Sequence, residues 1–402
     1  MEGSKVVLLV GTLDTKGAEY AYLRERLRAQ GVDSILADAG VNEPAGVEPD
    51  LHVGSETGAD PRALAEAGDR GAAVTAMAEA AEALARRLYA EGKIGGVLGA
   101  GGSGNTAIAT RAMQALPVGA PKLMVSTMAA GNTADYVGAS DVTMMASVTD
   151  VAGVNSISAR ILANAAAAMA GMMQAPEVDL GETKPLIGAS MFGVTTPCVT
   201  HARERLEGLG YEVLTFHATG AGGRAMEGLM DSGFLQGVLD ITTTELCDEL
   251  VGGVLSAGPD RLEAAGRLGL PQVVSLGALD MVNFGARNTV PPQFESRNLY
   301  VHNPSVTLMR TTKNEMVDLG RQIARKLSAA AGPTALFVPL RGVSMIDAQG
   351  QPFHDADADA ALFDVLRTEV GPNVELIEMD NNVNDPEFAD AMADKLDEYM
   401  KA

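Results

Sequence analysis

Tryptophan is absent from this chain, and aromatic residues of all kinds make up only 4% of it. The interior must therefore be filled by alanine, glycine, valine and methionine, side chains that let helices lie close against a sheet. Histidine is scarce as well. His52, His201, His217 and His354 are scattered without metal-ligand spacing and read as structural or surface residues. Two cysteines, Cys198 and Cys247, supply neither a disulfide framework nor a CxxC metal pattern. Basic residues are outnumbered, 30 Lys and Arg against 52 Asp and Glu, for a formal charge of −22. That balance excludes a duplex nucleic-acid surface, which needs clustered cations to neutralise phosphate. It leaves room for a small anionic ligand, since the N–H groups at a helix N-terminus bind phosphate locally. No apolar run reaches membrane-spanning length, and no charged leader precedes the first apolar stretch. The expected compartment is the cytoplasm, with no membrane partner.

What is present is an alternation of short apolar runs with helical stretches, in a chain of 402 residues. That length suits two domains, and the alternation is the pattern of parallel sheets with crossover helices. Residues 6–10, 34–37, 94–98 and 122–126 read as strands, residues 61–91 as an alanine-rich helix and 154–173 as a long closing helix. A polar stretch with Pro and Gly at 174–182 is the predicted linker. The expected fold is α/β, two Rossmann-like domains at 1–175 and 183–402, each a mostly parallel sheet flanked by helices. Three segments of the first half match the second in the same order: 6–10 with 186–190, 94–98 with 235–239, and 121–124 with 271–274. They suggest duplicated halves.

Parallel α/β sheets bind ligands on the loops at the carboxyl ends of their strands. In the first such loop Gly11 and Thr12 offer backbone N–H groups, Thr15 can cap the next helix, and Lys16 adds a cation. Asp14 is the candidate carboxylate for a magnesium ion, or it is an ordinary helix cap. The second loop, residues 99–106, lets the backbone approach an anion through Gly101, Gly102 and Gly104. Ser103, Asn105 and Thr106 add polar side chains. A third, beginning with Ser126 and Thr127, could face a base or ribose. The second loop formally satisfies GxGxxG, but the acid expected about 20 residues on for NAD is missing. GxxxxGK[ST] is absent too, so this is no P-loop.

The second half carries acids and bases instead. Glu245, His302, Arg310 and Arg341, with Asp240, fall at predicted strand ends and would converge on one pocket, holding an anionic substrate and moving a proton. Read singly, each is a cap or a surface ion pair. Gly220, Gly222 and Ala225 give GxGxxA with Asp240 about 20 residues on, although Arg224 interrupts the loop.

GTLDTK at 11–16, GAGGSGNT at 99–106, SVTDVAGVN at 147–155, DITTTELCDEL at 240–250, GPDRLEAAGRLGLPQVVSLGALDMVNFG at 258–285, HNPSVTLMRTT at 302–312 and PLRGVS at 339–344 resemble the Tm-1-like ATP-binding family. The resemblance spans nearly the whole chain and implies two Rossmann-like domains with ATP on the first. It does not imply a reaction. The expectation is an ATP- and magnesium-binding homodimeric enzyme acting on a small anionic metabolite. The alternatives are a lyase or hydrolase of a keto or sugar acid centred on the second half, and a nucleotide-sensing interaction protein.

Overall fold

A computed structural model describes residues 6–176 and 183–402. The chain divides into two compact units, residues 1–179 and 180–402. Residues 177–182, most of the predicted linker, lie outside the described residues.

The first unit is built on β1 (Val7–Gly11), β2 (Ser34–Asp38), β3 (Leu51–His52), β4 (Gly96–Gly101), β5 (Lys122–Ser126) and β6 (Thr143–Ala146). All are parallel, in the order β3-β2-β1-β4-β5-β6. Alternate residues of each strand face opposite helical layers. Leu8, Val10, Val97 and Met124 pack under helices Arg70–Ala90 and Ser103–Gln114. Val7, Leu9, Leu98 and Leu123 pack under Leu13–Ala29 and Ser158–Gln174. With both faces covered, β1 is buried throughout, as its unbroken apolar run requires.

Two expectations need correction here. The predicted helix at 61–91 is two, Pro61–Ala67 and Arg70–Ala90. Gly68 turns left-handed at φ +70°, and Asp69 caps the second helix through the Ala72 N–H. The strand predicted at 94–98 runs from Gly96 on to Gly101, absorbing the first three residues of the glycine loop. Gly99 is there for packing: a Cβ on it would lie 2.5 Å from Ala109 Cβ and 2.9 Å from Met124 Sδ.

The second unit has β7 (Leu186–Met191), β8 (Glu212–His217), β9 (Gly237–Thr242), β10 (Gln272–Gly277), β14 (Thr334–Pro339) and β15 (Val374–Met379), in the order β15-β14-β10-β9-β7-β8. Between β10 and β14 it inserts an antiparallel sheet of β11 (Met281–Phe284), β12 (Leu299–Asn303) and β13 (Val306–Arg310), in the order β11-β13-β12. The three matched segments fall on β1 and β7, β4 and β9, β5 and β10. These hold equivalent places in β2-β1-β4-β5 and β8-β7-β9-β10. Both units are thus Rossmann-like sheets flanked by helices. Among the described residues no helix is long and apolar enough to cross a membrane.

Candidate functional site

In the first unit β1 and β4 are neighbours whose chains continue to opposite sides, β1 toward β2 and β4 toward β5. Such a switch point opens a crevice beyond the strand ends, and ligands of open α/β sheets bind there. The loops after β1 and β4 meet at this point through Asn105. Its Oδ1 accepts from the Thr12 N–H at 3.0 Å, and its Nδ2 donates to the Tyr20 hydroxyl at 2.9 Å and to the Ala100 carbonyl. Tyr20 donates to the Val10 carbonyl at 2.6 Å and accepts from the Ala100 N–H at 2.9 Å. It is wholly buried, which pushes its hydroxyl up to about 12. On the other flank Asp38, buried at the end of β2, accepts from the N–H groups of Leu13 at 3.0 Å and Gly40 at 2.9 Å. Burial raises its carboxyl above the ordinary range despite these bonds.

Beside this brace lies a cavity of about 410 Å³. Thr12, Asp14, Thr15, Arg70, Gly104 and Asn105 contribute its polar side, while Val41, Leu64, Met77 and Ile108 form an apolar wall. The size falls within the usual range of small-molecule sites. Helix Ser103–Gln114 starts at Gly102 without a side-chain cap. Among the described residues no protein acceptor meets the N–H groups of Ser103, Gly104 and Asn105. These are the orphan donors of a helix N-terminus, with partial positive charge toward the opening. Asp14 Oδ2 accepts from Asn42 Nδ2 at 3.1 Å, whereas its Oδ1 is buried without a partner among the described residues. No described group of three or more His, Cys, Asp or Glu is placed to share a metal. A magnesium ion at Asp14 would therefore take one protein carboxylate and complete its shell with water and ligand oxygens, the habit of that ion.

The other predicted residues of this half divide by what they touch. Gly11 and Gly101 end their strands, and Gly102 and Ser103 open the helix. Thr106 Oγ1 and Ser126 Oγ meet at 2.7 Å in the interior, and the Thr127 N–H donates to the Gly101 carbonyl at 3.2 Å. These side chains knit the loops after β4 and β5 together. Lys16 breaks the helical geometry, with φ −125° and ψ 15°, and its Nζ donates to the Val151 carbonyl. Its charge is directed to the 147–155 loop and not along the helix axis.

The expected convergence in the second unit does not occur. Glu245 is fully enclosed: its Oε1 accepts from the N–H groups of Gly220 at 2.7 Å and Gly223 at 3.0 Å, and Oε2 pairs with Arg261 Nε at 2.7 Å. It therefore fills, from within, the anion position of the GxGxxA loop. Asp240 is engaged in the same way, by Ser190 at 2.6 Å and by Arg261. That leaves neither the loop nor its acid for a dinucleotide. His302 is exposed on β12 and is not among the partners of Glu245. Arg310 is buried, with its donors turned inward to Asp359 at 2.6 Å, the Phe353 carbonyl at 2.7 Å and Thr311 Oγ1 at 2.8 Å. Arg341 is exposed, pairs with Asp380, and borders a second cavity of about 800 Å³. Arg261 escaped the sequence reading because its three carboxylate partners, Glu227, Asp240 and Glu245, are distant in the chain.

Fold and site together define a protein of two Rossmann-like units, the first with a crevice at its switch point. The chain belongs to the uncharacterised protein family UPF0261, whose N-terminal domain matches residues 5–178 and whose C-terminal domain matches residues 184–400. A UPF0261 protein of Clostridium tetani is 52% identical over 99% of this chain and 100% of that protein. The ToMV resistance protein Tm-1(GCR237) of Solanum lycopersicum is 40% identical over 96% of this chain, which covers 55% of that protein. Among solved structures, UDP-N-acetylglucosamine 2-epimerase from Rickettsia bellii is similar at 13% identity, covering 67% of this chain and 78% of that one, with a TM-score of 0.24. A likeness of that degree carries no function across.

Proposed function

We propose that the first unit binds ATP with magnesium at the β1/β4 crevice, and that the chain is an enzyme acting on a small anionic metabolite. The observation that supports this most is the open N-terminus of helix Ser103–Gln114, whose unpartnered N–H groups adjoin a cavity with an apolar wall. Phosphate suits the first feature and an adenine ring the second. Thr12, Thr15, Gly102, Gly104 and Asn105 would hold the phosphates, and Asp14 the magnesium ion. Titration with a fluorescent N-methylanthraniloyl ATP tests the reading. It should saturate and be reversed by unlabelled ATP; no saturable, competable signal at millimolar nucleotide overturns it. A cytoplasmic homodimer belongs to the same proposal, and light scattering that shows only a 41.6 kDa species would remove the dimer.

A further inference from the structure

The cavity of about 800 Å³ in the second unit lies beyond the carboxyl ends of β14 and β15. This is the carboxyl-end side of the sheet, the side on which α/β sheets bind ligands, at its β14/β15 edge and not at the β7/β9 switch point. Its rim carries Arg341 and His354, its floor Asp359, and its wall Leu340 and Phe363. Among the described residues Arg341 pairs with one carboxylate, Asp380. Those two side chains are 64% and 72% exposed, so exchanging Asp380 for another carboxylate costs little. His354 Nδ1 faces the Asp347 carbonyl at 3.0 Å. A carbonyl only accepts, so Nδ1 carries the hydrogen, and Nε2 has no protein partner among the described residues.

Behind the floor, Asp280, Asp347 and Asp359 share the single guanidinium of Arg310, which lies 2.6 Å from Asp359 and 3.4 Å from Asp347. Asp280 Oδ1, wholly buried in this cluster, has no partner among the described residues. Burial and the neighbouring carboxylates of Asp280 and Asp359 push the Asp347 carboxyl up to about 9. The cavity thus presents a guanidinium fork, an imidazole and the Asp359 carboxyl beside apolar side chains.

We infer that this cavity is the binding site for a small hydroxycarboxylate. Its carboxylate would meet Arg341 in the two-pronged geometry that lysine cannot supply. Its hydroxyl would lie between His354 Nε2 and Asp359, with the carbon chain along Leu340 and Phe363. This deepens the proposed action on a small anionic metabolite and rests on that reading, but not on nucleotide binding.

Saturation-transfer NMR of the full chain with L-lactate, D-glycerate, L-malate and D-gluconate tests it, with propionate and succinate as partners lacking the hydroxyl. At least one hydroxy acid should bind saturably and more tightly than its unhydroxylated counterpart. Arg341→Ala and His354→Ala should each weaken it at least about tenfold, a loss of roughly 1.4 kcal/mol. Both side chains are exposed, so the fold survives either change, as circular dichroism would verify. Failure of all four hydroxy acids to bind, equal binding of the unhydroxylated acids, or binding that survives both substitutions overturns the assignment. ATP titration of the same samples separates the two readings: nucleotide binding without acid binding removes this site alone, and the converse removes the crevice in the first unit.

Discussion

Tyr20→Phe deletes one hydroxyl and leaves the ring in place. That hydroxyl joins Val10, Ala100 and Asn105, all in the interior. The Ala100 N–H would be left without an acceptor, at about 1–3 kcal/mol. The Val10 carbonyl loses a donor, while the Asn105 amide keeps the Ala100 carbonyl and loses less. The sum is about 2–4 kcal/mol, which in a domain of this size lowers the melting temperature by roughly 5–15 °C. Differential scanning calorimetry of the full chain reads that shift. A second consequence follows from Asn105, which would then be held by fewer bonds beside Thr12, so affinity for ATP should fall along with stability. A stability change under about 0.5 kcal/mol, the range of ordinary surface substitutions, would refute the claim that Tyr20 braces the two loops.

Other outcomes follow from the same contacts. Glu245→Ala removes one partner of buried Arg261 and uncovers the N–H groups of Gly220 and Gly223. Urea titration should show a loss of about 3 kcal/mol, the lower end for a broken buried pair because Arg261 retains Asp240 and Glu227. A purely catalytic Glu245 would leave stability unchanged. Asp347 has a folded pKa of about 9, raised above its unfolded value of about 4. The stability linked to its proton is therefore complete below pH ~4 and lost as pH rises toward 9. Asp347→Asn keeps a neutral group beside Asp359 and Arg310, so the variant should gain on the wild type in urea melts between pH 5 and 9. A gap that stays constant across that window contradicts the assigned proton.

The sheets were legible because strands covered on both faces leave apolar runs, as at β1 and in the middle of β5. The loops between β1 and β4 were legible for a related reason: small polar residues cluster where a strand must end and a helix begin. What stayed hidden depended on distance along the chain. Asn105 reads as one more polar residue in a glycine loop, yet it reaches Thr12 and Tyr20 across more than 80 positions. Arg261 looks like a surface cation until Glu227, Asp240 and Glu245 close around it. Other features had a local signal that went unused. Asp60 before Pro61 and Asp69 after Gly68 are cap pairs that divide the alanine-rich stretch. Asn303 and Pro304, between two runs rich in β-branched and aromatic residues, mark the hairpin of β12 and β13.

The most direct test of the nucleotide crevice is calorimetric titration of ATP with magnesium into the wild type and Gly102→Val. Gly102 has φ −83°, and a Cβ there would meet nothing nearer than Thr127 Oγ1 at 3.9 Å. Valine is therefore tolerated by the fold and adds bulk at the residue that opens the helix N-terminus. The account predicts one nucleotide per chain for the wild type and at least about a tenfold weaker complex, roughly 1.4 kcal/mol, for the variant at an unchanged melting temperature. Equal affinity in the two proteins, or no binding to the wild type, would contradict it.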